Sequence, residues 1–252
     1  MKRAFFLTCL LPLLVAHAHD HVEVGQSATH PSQLALSGPG YQLALFVPVG
    51  ETFSGYLPAF PGGCFADELT FTTEVNVLNA ADGADPEIEL VSVTGPAGGA
   101  ISFWEAGVFL PAWTRPSGWT QTEIDRPSLP VILGGDGHIH GRAFSANRPG
   151  EYHVVFRARD KQNLFFPSLD FPMTIQAQSP PPISIRIENG NARLSFNSKL
   201  NLVYDLQICT DLVLNRWSNV QEYVSIDGSG ALVDFSLPLA YPRAFFRLIE
   251  YK

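Results

Sequence analysis

Charge is scarce in this chain. Asp, Glu, Lys and Arg make up only 16% of its 252 residues, and 24 acids against 16 bases leave a formal charge of −8. An acidic chain without a basic patch is a poor partner for nucleic acid or for an anionic lipid surface. Cysteine is scarcer still, with three residues in all. Helical periodicity is missing too: no window of useful length repeats its apolar residues every 3.6 positions. Beyond the N-terminal segment no run approaches the roughly 20 apolar residues of a membrane-spanning helix. Several enzyme signatures are also absent. There is no G-x-S-x-G elbow, no phosphate loop and no dinucleotide fingerprint, and no pair of acids stands out as a glycosidase acid and base. The chain therefore reads as a binding protein more than as an enzyme.

What is present is a sequence built for strands. Hydrophobic residues reach 46%, enough for a core, and 20 prolines and 21 glycines are spread along the chain as turn signals. Strand-like runs fall at 41–47, 69–78, 87–94, 101–104, 138–145, 151–158 and 171–177. Gln178-Ser179-Pro180-Pro181-Pro182 then interrupts the pattern, because consecutive prolines cannot continue a ladder and favour a stiff spacer. Further runs follow at 183–187, 192–196, 202–209, 222–226, 232–235 and 244–249, and Asn189-Gly190 marks a hairpin turn between the first two. The expectation is an all-β chain. An Ig-like or jelly-roll β-sandwich spans 19–178, a Pro-rich linker covers 179–182, and a smaller β-domain occupies 183–252.

Residues 1–18 have the form of an export signal. Lys2 and Arg3 precede an apolar run from Ala4 to Val15, and Ala16-His17-Ala18 offers an A-x-A cleavage site, with cleavage after Ala16 as the alternative. Loss of Lys2 and Arg3 with that segment takes the formal charge from −8 to −10. The expected location is outside the cytoplasm: periplasmic, cell-surface or extracellular. Such a compartment permits a disulfide between the two remaining cysteines, Cys64 and Cys209; the alternative is two small apolar side chains in the core.

The seven histidines carry the functional signal. His17, His19 and His21 alternate around the processing site, and His138 and His140 alternate within Gly137-His-Ile-His-Gly141. Random scattering of seven histidines gives well under one such H-x-H pair. On a strand, residues i and i+2 face the same way with Cα atoms about 6.5–7 Å apart, so both imidazoles of a pair can reach one ion at Zn–N distances near 2.0–2.1 Å. His19, His21, His138 and His140 are the candidate ligands. An all-nitrogen set suits Zn2+, and Cu2+ or nickel also accepts imidazole. If cleavage leaves His19-Asp20-His21 at the terminus, the free amine and the histidines would suit Cu2+, including an N-terminal copper brace of the kind found in oxidative polysaccharide-cleaving enzymes. His30 and His153 read as exposed or structural. Glu105 reads as a rim carboxylate, with metal ligation as its alternative. Trp104, Trp113 and Trp119 read as core, with a sugar-stacking face as theirs.

Several of these motifs together resemble a known family. They are His21-Val-Glu-Val-Gly25, Val93-Thr-Gly-Pro-Ala97 with Phe103-Trp104-Glu105, Gly137-His-Ile-His-Gly-Arg-Ala-Phe144, and Pro149-Gly-Glu-Tyr152. Over residues 19–178 the chain is similar to choice-of-anchor M proteins and the related zinc-repressed, PEP-CTERM-anchored surface proteins of bacteria. The resemblance implies an extracytoplasmic β-domain tied to metal homeostasis, some relatives accompanying metal ABC transporters, and it favours zinc. His21, His138 and His140 match the family's histidines, and His19 matches them less closely. The chain has Gly141-Arg142 where many relatives have Asn-Trp, and it lacks the C-terminal sorting helix and basic tail. Its last segment, with Tyr204-Asp-Leu-Gln207, Asp211-Leu212, Trp217 and Pro242-Arg-Ala-Phe-Phe-Arg247, resembles small β-domains that end many secreted bacterial proteins. The expectation is a secreted zinc-binding protein that holds or delivers metal, with a transporter or cell-surface component as its partner. The alternatives are a non-catalytic surface module binding glycan or protein, and a copper-dependent oxidase.

Overall fold

The computed structural model of the chain describes residues 20–51, 53–54, 57, 59–73, 84–131, 142–238 and 240–252. Among them the chain is all-β: it forms nineteen strands and one 3-10 turn at Gln221–Tyr223, with no α-helix. No helix among the described residues is long and apolar enough to cross a membrane.

Twelve strands form one curled sheet around the larger of its two hydrophobic clusters. They are β1 (Asp20–Gln26), β2 (Leu34–Ser37), β3 (Tyr41–Val47), β4 (Cys64–Thr73), β5 (Pro86–Thr94) and β6 (Ala100–Trp104), then β7 (Trp113–Pro116), β8 (Trp119–Thr120), β9 (Ser128–Pro130), β10 (Ala143–Ala146), β11 (Gly150–Asp160) and β12 (Phe171–Gln178). The order is β7-β6-β10-β4-β3-β12-β11-β5-β8, with β9 beside β5, β1 beside β4 and β2 beside β1. Pairing is antiparallel except for β1 with β4 and β3 with β12. The inner face shows the alternation that puts every second residue in the core. Val22 and Val24, Leu69 and Phe71, and Tyr152, Val154, Phe156 and Ala158 are all fully buried there. Phe144 packs against Phe103 at 5.0 Å and Phe156 at 5.5 Å between ring centres. Across the sheet, a second cluster joins Ala66, Trp104 and Ala143 to Leu57 and Phe60.

Among the described residues no strand up to Gln178 pairs with one after it. The remaining strands are β13 (Ser184–Glu188), β14 (Asn191–Asn197), β15 (Val203–Cys209), β16 (Ser218–Asn219), β17 (Ile226–Asp227), β18 (Leu232–Pro238) and β19 (Phe245–Tyr251). β13, β14 and β18 make one sheet; β16, β15, β17 and β19 make the other. Leu194, Phe196, Tyr204, Leu206 and Leu248 fill the space between, and Leu45 of β3 belongs to the same cluster. Asn189 (φ 49°) and Gly190 (φ 76°) close the β13–β14 hairpin with two left-handed residues, the geometry an Asn-Gly turn favours.

Two expectations need correction. The strand at 222–226 is instead the 3-10 turn, followed by the two-residue β17. Ser225 takes φ 53° and gives its N–H to Asp205 Oδ1 at 2.7 Å, which breaks the ladder there. The strand expected at 69–78 starts earlier, at Cys64, and its residues beyond Thr73 lie outside the described ones. Cys64 and Cys209 are free thiols. Burial pushes the Cys64 thiol up to about 11, against a hydrogen bond with Ser145, and Cys209 Sγ donates to Asp211 O at 3.1 Å.

Candidate metal centre

Of the four candidate ligands, His21 lies within the described residues; His19, His138 and His140 lie outside them. His21 is the second residue of β1 and pairs with Thr70 of β4. Val22 and Val24 turn to the core, so strand alternation sets His21 on the opposite face, half-buried beside the buried Thr70. Gly38, at φ 151°, holds the backbone here. A Cβ on it would stand 2.8 Å from His21 O and 3.0 Å from Val22 Cα, so the close approach of the following loop to β1 requires glycine.

The described flanks of the two histidine segments converge on one residue. Asp20, which follows His19, is the register partner of Leu69 in β4. Arg142, two residues after His140, accepts a hydrogen bond on its carbonyl from Leu69 N at 3.1 Å. β4 changes partner at this point: β10 pairs with Phe65 to Glu68, and β1 pairs with Leu69 to Thr73. Neighbouring strands lie about 4.7–4.9 Å apart, so the backbones of Asp20 and Arg142 are within about 10 Å of each other.

Arg142 is also the anchor of this region. Its side chain is 2% exposed, sits 5.9 Å over the Phe103 ring, and donates from Nη1 to Pro130 O at 2.8 Å and from Nη2 to Glu105 Oε1 at 3.1 Å. Burial pulls its pKa below the ordinary arginine value, and Glu105 opposes that shift. Pro130 ends β9 and Arg142 immediately precedes β10, so one guanidinium ties together the two ends of the stretch that carries His138 and His140. The sequence holds one signal of this: an arginine directly before the apolar Ala143-Phe144, at a position whose side chain must enter the core.

The other candidates are dispersed. His30 is exposed in the β1–β2 loop, its N–H bonded to Ser27 Oγ at 3.2 Å. His153, on β11, meets Glu151 at 3.0 Å and Thr174 at 3.3 Å on an exposed face. Glu105 is committed to Arg142. Trp104 and Trp113 are each 7% exposed and belong to different clusters, while Trp119 bonds Asp125 Oδ2 at 2.9 Å beneath Arg115. The three tryptophans therefore make no common stacking face. Among the described residues no group of three or more His, Cys, Asp or Glu side chains is arranged to hold a metal ion.

Compared with protein-family models the chain finds no match, and comparison with curated proteins finds none either.

Proposed function

We propose that this chain is an exported metal-binding protein whose site is formed by His21, His138 and His140, with His19 as a further ligand, and whose metal is zinc. The observation that carries the reading is the meeting of both flanks at Leu69. Asp20 and Arg142 neighbour the same β4 residue, and His140 lies only two residues from Arg142 along the chain. Chain reach of about 3.3–3.6 Å per residue leaves imidazoles from the two segments able to share one ion. The Arg142 anchor supports it, because a ligand-bearing segment tied at both ends loses less entropy on binding. The resemblance to zinc-repressed surface proteins points the same way, and delivery to a metal transporter or a cell-surface component is the role it suggests.

Arg142 shares the phase of the core residue Phe144, whereas His21 faces the other side of the sheet; residues 132–141, which carry His138 and His140, lie outside the described ones.

Zinc titration by calorimetry tests the reading. Wild-type protein should bind one ion per chain, and His21→Ala should weaken binding by about tenfold or more. Neutral imidazoles are the ligands, so affinity should fall as pH drops below about 6.5. Unchanged affinity at pH 4.5, or in His21→Ala, contradicts the site.

A further inference from the structure

The end of the C-terminal sandwich away from the linker carries an apolar tip. The strand register defines that end. Ser184, nearest the linker, pairs with Ser195, whereas the Asn189-Gly190 turn, the Asn191–Pro238 pair and the Cys209–Phe245 pair all lie at the opposite end. The turn after β15 therefore projects there together with residues 240–244. It carries three consecutive apolar residues, Leu212, Val213 and Leu214, exposed by 50%, 94% and 60%. Singly exposed apolar residues are ordinary, whereas a contiguous exposed set with cations beside it is a candidate interaction site.

The turn is built to hold them outward. Asp211 Oδ1 accepts the N–H groups of Val213 at 2.9 Å and Leu214 at 3.4 Å, and Asp211 O accepts from Cys209 Sγ. Asn215 takes the left-handed conformation at φ 48° and receives Trp217 Nε1 at 2.9 Å. Arg247 lies 4.3 Å over the Trp217 ring and is itself bonded to Gln207 at 2.7 Å. Beside the turn, Ile208, Val220, Leu237, Ala240, Tyr241 and Phe246 line an apolar hollow of about 190 Å3. Arg216 follows the turn in sequence and Arg243 lies in the segment before β19 at the same end of the sandwich; both are exposed, and neither has an ion pair among the described residues.

We infer that this tip is a docking site for a phospholipid bilayer surface, with Leu212, Val213 and Leu214 entering the acyl region and Arg216 and Arg243 bonding lipid phosphates. Exposure decides for a bilayer. Val213 is 94% exposed between two further exposed leucines, with little of its own chain packed on it, and a fluid bilayer receives such a set without a matching cavity. Apolar residues with arginines beside them make an interfacial anchor. The chain as a whole is acidic, at −8, so binding rests on insertion and phosphate contacts and gains little from anionic lipid.

Co-sedimentation of the full chain with vesicles of phosphatidylcholine and phosphatidylethanolamine tests this. Wild-type protein should partition to the vesicles, Val213→Asp should cut partitioning about tenfold, and Arg216→Gln and Arg243→Gln about fivefold each. Val213 is nearly fully exposed, so the melting curve of Val213→Asp should match wild type. Phe109→Ser/Leu110→Ser, at an exposed apolar loop of the larger sheet, should leave partitioning unchanged. Absence of wild-type binding, binding undiminished by Val213→Asp, or loss of binding in the Phe109/Leu110 variant overturns the assignment. So does an apolar tip that instead holds a second copy, seen as a dimer in ultracentrifugation that Val213→Asp dissolves.

Discussion

Asp160 ends β11 with its carboxylate surrounded by backbone donors. Oδ1 accepts from Asp85 N at 2.8 Å and Gln162 N at 3.1 Å; Oδ2 accepts from Leu164 N at 2.7 Å and Phe165 N at 3.2 Å. Burial opposes the charge, but the four bonds together outweigh it and hold the pKa below the ordinary 3.8. A lowered carboxylate pKa stabilises the folded chain fully above the unfolded value and loses that contribution as pH falls through the folded one. Asp160→Asn turns an acceptor into a donor facing two N–H groups and should cost about 1–3 kcal/mol at pH 7. Denaturant melts of both proteins should show that gap closing below about pH 3.8; a gap independent of pH contradicts the account. Gly38 is the second residue of this kind. Gly38→Ala drives a methyl to within 2.8 Å of His21 O, so it should lower stability and zinc affinity together, read by thermal melts and titration. A stable variant with wild-type affinity would separate the loop from the site.

At the scale of elements, the buried Arg142 and its partly exposed partner Glu105 join β9, β10 and the end of β6. Arg142→Met keeps the volume but releases Pro130 O and Glu105, and Glu105 can turn to water because its side chain is already 36% exposed. The stability cost should therefore stay near the low end of the about 3–5 kcal/mol of a broken buried pair. Zinc affinity should nevertheless drop at least about tenfold, because the histidine segment loses its fixed ends. Equal affinity in Arg142→Met would show that the anchor serves folding alone.

Much of this level is legible in the sequence. The run 41–47 forms β3 residue for residue, the Asn189-Gly190 turn sits where its chemistry places it, and the proline stretch separates the sheets. The run at 222–226 misleads because Asp205, on another strand, captures the Ser225 N–H. The parallel docking of β1 on β4 is equally invisible, since pairing between distant segments leaves no local pattern. The histidine pairs stand out by spacing, but the fixed points around them, Leu69 and the Arg142 clamp on Pro130, are properties of register and burial.

For the whole molecule, the question is what holds the C-terminal sheets to the larger one. Arg247 pairs with Glu51 at 2.5 Å, and Lys252 pairs with Asp67. Both pairs keep partial exposure, so each is worth about 0–1 kcal/mol. Leu45 contributes more. It is 7% exposed, lies on β3, and sends its side chain into the small sandwich's own cluster. Leu45→Ala should cost about 2–5 kcal/mol and separate one calorimetric transition into two, whereas Glu51→Ala and Lys252→Ala should each shift it only slightly. A single transition in Leu45→Ala would mean that the sheets unfold together for another reason.

Elemental analysis of the untagged protein tests the proposed metal site most directly, comparing wild type with His138→Ala/His140→Ala. The account predicts about one zinc per wild-type chain and none in the double variant, with both proteins equally folded by circular dichroism. A wild-type protein that carries no metal and takes up none on titration, or a double variant that retains the full complement, would contradict it.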